Sequence, residues 1–584
     1  MENLSHLLEL YADDCSIFLE PKDENLRKTL EVLDTFYQIS GLKISVSKTK
    51  AIWFGRGHGN IHKLCPDLVL DWDTKFTLLG IDFTNNLEGM ECNFHSKIEK
   101  IKKIFNQWFH RSLTVYGKIV VIKTLALPKL CHLALVLPDL NKHQIKQLET
   151  LAFNFLWDNK PDKIARDHVK LSEKAGGLGF LDIKDFWLSL KFSWLRRALH
   201  TSAFWPKILI QQVESIIGHN LTIPDLLQFG PRYLEKVGKN IDNKFWKQVL
   251  CSVGLFMQGA LFCNPEKIIT APFWDNPLIL RNNKAIKYST FPSLFNKISS
   301  IADFYRPGTC TFYTREELMN VFNTDISPET LIEIHFIIKS AMRKLGLQND
   351  ISTEIVYPFQ PLLINLANLT KKGCNVYYRV LRKKNNIKTT LSMRESKWHN
   401  ELGCTFGIDF WNKTYNLTSN IKYENKIKYL QYQINRNSLF TNYKVNKFKR
   451  HISPFCSFCI QAQNPVTPCE LVSHIFYDCD YVLNLWQEII NWLKTLNINI
   501  PLDRKALLFG LSDQASTSVQ NYLILYTKYF IWVTKFQTKQ LGFDSFRTFL
   551  KNKLEDLKRA YYYENKERCF EPWLLIYDCL VSDP

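Results

Sequence analysis

The 584-residue chain carries 75 Lys and Arg against 56 Asp and Glu, a formal net charge of +19, with 46% hydrophobic and 14% aromatic residues. That much apolar surface excludes a mostly disordered chain, and the length exceeds the ~250 to 300 residues at which single cores stop growing, so more than one domain is expected. The positive field makes nucleic acid the leading partner, ahead of an anionic membrane or a surface charged only for solubility.

Residues 7–20, LLELYADDCSIFLE, read as two strands joined at Ala12-Asp13-Asp14, since branched and aromatic residues flank a tight polar turn. A helix follows: Leu26, Leu30, Leu33 and Tyr37 recur at helical spacing, Asp23 can cap the start and Gly41 can end it in the left-handed conformation. LKISVSKTKAIWFG reads mostly as strand, and FTLLGIDF, Phe76 to Phe83, as one more. Together these elements make one side of an α+β sheet. From about residue 94 the pattern is helical, with Phe94, Ile98, Ile101, Phe105 and Trp108 on one face, and helices continue to about residue 200. KAGGLGFLDI interrupts them as a structural turn, because it lacks the Gly-Lys-Ser/Thr ending of a phosphate loop. Residues 201–395 are mixed, and RVLRKKNNIK at 379–388 reads as an exposed basic linker. The fold class is therefore α+β and predominantly helical. The most apolar stretch, VIKTLALPKLCHLALVLPDL, carries two lysines and two prolines and does not read as a membrane span. The cysteines lack the dense, even spacing of a secreted scaffold, which fits reduced thiols inside a cell, in nucleus or cytoplasm.

Two constellations can carry chemistry. Adjacent carboxylates at a strand turn, Asp13 and Asp14, can aim oxygens at the paired Mg2+ ions, about 3.5 to 4 Å apart, that phosphoryl transfer to a hydroxyl requires; the plainer alternative is an acidic hairpin turn. Farther on, Cys456 and Cys459 lie two residues apart, with His474 and Cys479 downstream. Three thiolates and an imidazole can close a tetrahedral Zn2+ shell, with Cys469 as competing ligand and a set of reduced buried cysteines as the alternative. Just ahead, Lys444, Lys447, Lys449 and Arg450 interleave with Phe440, Tyr443, Phe448 and Phe455, offering phosphate contacts beside stacking surfaces. Each aromatic taken singly is expected in the core, as are Trp398 and Trp411.

The order of segments adds a resemblance. YADD, a helix, SGLKISVSKTK (40–50) and FTLLGIDF resemble the palm of reverse transcriptases from LINE-type (non-LTR) retrotransposons. WFHRSLTVYGKIVVIKTLALPKL (108–130), FNFLWDNK (153–160) and KAGGLGFLDIKDFWLSLKFSWLRR (174–197) look like the thumb and following helices. The Cys/His segment ending at Leu485-Trp486 is similar to the family's carboxy-terminal zinc region. The resemblance implies an RNA-directed DNA polymerase in which Asp13 and Asp14 hold catalytic Mg2+ and Tyr11 lies beside the primer terminus. Lys48 and Lys50 would approach the incoming nucleotide, and Leu79-Gly80 would grip the primer strand, with Leu78 in place of the usual aromatic. It divides the chain into a partial palm (1–90), a thumb-like helical region (91–200), a mixed linking region of unknown role (201–395) and a zinc-binding region (396–584).

A third catalytic aspartate, the fingers and an endonuclease, all upstream of YADD in this family, have no counterpart here. The chain is thus expected to be the carboxy-terminal part of a polyprotein. On that expectation it binds RNA or RNA–DNA duplex and does not polymerise by itself, because losing one carboxylate of the metal clamp suppresses the chemical step by orders of magnitude. An upstream palm supplied in trans would restore activity; a decayed relic is the remaining alternative.

Overall fold

In the computed structural model, strands Leu8–Tyr11 and Asp14–Ile17 pair antiparallel with Tyr11 opposite Asp14. The structure describes residues 8–11, 14–55, 62–217, 237–252, 269–344 apart from 270–272, 275, 277–278, 283, 296, 308 and 310, then 373–386, 393–420, 424–461, 467–511, 518–537 and 541–582. The helix Asp23–Ser40 ends as its sequence requires: Gly41 takes φ +75° and its N–H returns to the Tyr37 carbonyl. Its start differs from expectation. Lys22 occupies the cap position without a side-chain bond, and Asp23 instead accepts the N–H of Cys65 at 3.2 Å.

Two strand expectations are corrected. Within LKISVSKTKAIWFG only Lys50–Ala51 is strand, paired in parallel with Asp71–Trp72, and Val46–Lys48 is a 3-10 turn. Local bonds explain this: the Ser45 carbonyl accepts the main-chain N–H of Lys48 and Thr49 and the Thr49 hydroxyl at 2.9–3.1 Å, so the backbone is satisfied locally rather than in a ladder. FTLLGIDF is not one strand but a hairpin, Lys75–Leu78 against Ile81–Thr84. Leu79 and Gly80 form its two-residue turn at φ +49° and +74°, the left-handed pair that matches strand twist. These three pairs are separate two-stranded ladders rather than one sheet among the described residues.

The remainder is predominantly helical and divides into two compact units. The first comprises residues 1–104, 126–149 and 183–384. In it the helix Ile183–His200 brings Phe192 and Leu195 into a core with Leu209, Phe273, Phe304 and Ile334, so the mixed region 201–395 supplies a genuine apolar interior. The helix Arg315–Phe322 begins on a capping box in which Thr314 and Glu317 exchange side-chain to backbone bonds. RVLRKKNNIK is corrected from linker to helix as far as Asn386. Tyr377 and Leu381, one turn apart, bury on this core, and the Arg382 guanidinium is held 3.1 Å from Asp185.

The second unit comprises residues 105–125, 150–182 and 385–584. Phe105 stacks on Phe155 at 4.6 Å, and Phe153 meets Phe180 at 4.6 Å. The glycine turn after Lys174 is structural, as its sequence indicates: a Cβ at Gly176 would lie 2.7 Å from the Tyr415 ring, and one at Gly177 2.1 Å from the Leu171 carbonyl oxygen. Trp398 and Trp411 are fully buried packing residues. No single described helix is long and apolar enough to cross a membrane, and no disulfide joins the described cysteines.

Candidate metal centre and nucleic-acid interface

Four side chains from three local devices converge in the second unit. A β-bridge between Phe455 and Cys469, with the Cys456 N–H on the Pro468 carbonyl, sets the position of Cys456. One turn later the helix Ser457–Gln461 carries Cys459 onto the same side. A wide turn, His474–Asp478, returns the chain so that the Cys479 N–H reaches the His474 carbonyl at 3.0 Å, and Cys479 then starts the helix Asp480–Thr495. The core side of that turn is fixed by Trp486, whose indole N–H donates to the Phe476 carbonyl at 3.0 Å.

Cys456, Cys459, His474 and Cys479 are all buried, with one ligand atom from each within 4.8 Å of every other. Cys459 Sγ lies 3.6 Å from His474 Nε2 and 3.7 Å from Cys479 Sγ. Around a tetrahedral ion with Zn–S near 2.3 Å and Zn–N near 2.0–2.1 Å, ligand atoms sit roughly 3.5–3.8 Å apart. The donor set therefore fits zinc with no position left open. Cys469, the competing candidate, lies in the β-bridge and outside this set. Without an ion, three neighbouring thiols cannot ionise together. Cys479 donates to Cys456, which lowers the Cys456 pKa and raises its own, while burial raises that of Cys459. A divalent cation removes this conflict by stabilising all the thiolates.

The basic segment is tied to this centre through Glu470, a fully buried carboxylate. One of its oxygens accepts the Asn442 N–H at 2.7 Å and the Lys535 ammonium; the other accepts the Ser457 hydroxyl at 3.4 Å. Asn442 also donates from its side chain to Ser457 Oγ at 3.0 Å and to the Phe455 carbonyl at 3.2 Å. The helix Asn442–Asn446 thereby starts on the loop that carries Cys456 and Cys459. Sequence reasoning missed this carboxylate, whose partners lie 13, 28 and 65 residues away and follow no spacing rule.

Lys447, Lys449 and Arg450 are exposed, and Lys447 sits 4.6 Å over the Tyr443 ring. Lys444 has a different place: half-buried, it donates to the Asn437 carbonyl and side-chain oxygens at 2.7 and 2.6 Å and braces the loop. The expectation that these aromatics enter the core is overturned at three positions. Phe440 is 47%, Phe448 61% and Phe455 40% exposed, with Phe440 and Phe448 meeting edge to face at 6.0 Å. The charged residues between them oblige this stretch to face water, and its few rings go with it.

The amino-terminal candidates are dispersed. Asp13 lies outside the described residues; Asp14 is exposed at the first position of its strand rather than within the turn, across from the exposed Tyr11. Lys48 is exposed at the end of its 3-10 turn, whereas Lys50 pairs with Asp73 at 2.7 Å. Leu79 and Gly80 are the hairpin tip, where the Leu79 carbonyl lies 3.2 Å from His132 Nε2. The described residues thus supply one carboxylate of the paired set and no two-ion clamp. No protein-family model matches the chain.

Proposed function

We propose that this chain acts on nucleic acid as a LINE-type reverse transcriptase polypeptide, with a structural zinc ion organising a basic, aromatic segment that binds RNA or RNA–DNA duplex. The observation that carries this reading is the buried Cys456, Cys459, His474 and Cys479 cluster, whose atoms lie within 4.8 Å of one another in the chain order that the resemblance implies. Glu470 transmits that order to Asn442, so metal binding fixes where Lys447, Lys449 and Arg450 stand. Those three cations meet phosphates, and Phe440 and Phe448 meet bases. Asp13 and Asp14 are read as two carboxylates of a polymerase centre that requires a third. Exposed apolar side chains on the hairpin and the helix after it, such as Leu10 and Phe36, fit a palm layer completed by further strands.

Binding of a labelled structured RNA to the polypeptide of residues 1–584 tests this by fluorescence anisotropy across salt concentrations. Three phosphate contacts contribute about −2 to −3 to the slope of log K against log salt, and replacing Lys447, Lys449 and Arg450 by Ala removes that contribution. Primer extension on the same RNA is expected to yield no product. Salt-independent binding, or binding indifferent to the triple substitution, would overturn the reading.

A further inference from the structure

Two adjoining cavities of the second unit, of about 490 and 230 Å3, share Tyr429 and Gln433 from the helix Asn425–Asn435. The larger falls within the ~300 to 1,000 Å3 typical of ligand clefts. Its aromatic lining is Tyr429, Tyr529, Trp532 and Phe536. Two of these rings are braced from the core: Tyr429 lies parallel to Tyr432 at 6.3 Å, and Trp532 packs at 6.4 Å against Phe476, within the turn between His474 and Cys479. Lysines supply the charge, Lys426 in the larger cavity and Lys163, Lys397 and Lys444 in the smaller, and no carboxylate lines either one. Lys426 and Lys397 are exposed and form no ion pair among the described residues. Phe440, the ring that meets Phe448 on the basic segment, also lines the smaller cavity.

We infer that this groove binds single-stranded RNA, its bases stacked on Tyr429 and Trp532 and its phosphates following Lys426 and Lys397. The inference rests on the nucleic-acid reading above and adds a site to it. Half-buried rings lining an open groove, Tyr429 and Trp532, offer stacking faces to splayed, unpaired bases, which a duplex does not present. Lys426 and Lys397, which form no ion pair among the described residues, match a polyanion, and Phe440 of the basic segment lines the smaller cavity. The inference takes RNA over DNA because Gln433, which lines both cavities and forms no side-chain hydrogen bond among the described residues, has a donor and an acceptor that a 2′-hydroxyl could meet.

A 12-nucleotide single-stranded RNA carrying 5-iodouridine, added to the zinc-loaded full chain and photolysed, tests this by mass-spectrometric mapping of the crosslinks. They are expected at Tyr429 and Trp532. Lys397→Glu with Lys426→Glu should weaken binding of this RNA about ten-fold or more and reduce the salt slope by roughly 1.4. Trp532→Leu should weaken it ten- to a hundred-fold, as loss of a stacked base does, with zinc content unchanged. Should that variant misfold, the surface lysine pair still decides. Crosslinks confined to residues 440–455, with the lysine variant binding like the parent, would overturn the groove while leaving the basic segment intact; no RNA binding at all would overturn both. Equal affinity for single-stranded DNA or for duplex would also overturn it.

Discussion

Residues 8–84 and residues 396–582 both carry recognisable motifs, yet they bury them very differently. The helix Asp23–Ser40 buries no side chain, and its least exposed face, Leu26, Leu30, Leu33 and Tyr37, is only half covered. Leu10 is 66% and Ile39 82% exposed. In the carboxy-terminal region the helix Asp480–Thr495 buries Val482, Leu485, Trp486, Ile489, Ile490 and Leu493 in one core. Periodicity wrote both helices equally well. At ~25 cal/mol per Å2 of apolar surface removed from water, only a helix with an opposing layer gains much from its stripe. A legible motif is therefore no measure of how firmly its region is held.

The comparison is broken most forcefully at the proposed metal centre. Structural zinc contributes apparent binding energies of about 10–16 kcal/mol that are also folding energy. Chelation, or Cys479→Ser, is thus expected to abolish bound zinc and expose residues 440–495 to hydrogen exchange while leaving exchange in residues 8–84 unchanged. Cys469→Ser should retain the metal. Next in size is Glu470→Ala, which strands the Lys535 ammonium in a buried site; a loss of ~3–5 kcal/mol in denaturant unfolding is expected, with weaker RNA binding because Asn442 loses its anchor.

Matched truncations sharpen the contrast. Leu550→Ala in the carboxy-terminal core should cost ~2–5 kcal/mol, and Leu30→Ala in the amino-terminal helix about 1 kcal/mol or less; similar costs would refute the difference in burial. A second matched pair comes from two glycines at nearly the same positive φ. Gly41→Ala meets nothing within 4 Å and should cost about 1 kcal/mol, whereas Gly176→Ala also drives a methyl into Tyr415 and should cost roughly 1–3 kcal/mol. Equal losses in thermal unfolding would show that the Tyr415 contact relaxes freely.

What could be read from sequence was whatever is decided within a few residues. Gly41 ends its helix because only a left-handed residue closes that turn, and Cys456, Cys459, His474 and Cys479 assemble because their local turns already face them inward. Contacts across sequence rewrote some of the rest: Asp185 and an apolar core made a helix of an apparent basic linker. Other misreadings were local, where bonds to the Ser45 carbonyl closed a 3-10 turn inside an apparent strand. FTLLGIDF concealed a two-residue turn at Leu79-Gly80 because no Asn or Asp announced it. The Tyr429 and Trp532 groove was not legible at all, its walls being more than a hundred residues apart in sequence.

X-ray absorption at the zinc edge of the purified chain bears most directly on the organising role given to the Cys/His cluster. One zinc per chain, with three sulfurs near 2.3 Å and one nitrogen near 2.0–2.1 Å, is the predicted result. A metal-free chain with residues 440–495 fully protected from exchange, or a shell that needs Cys469, would contradict it.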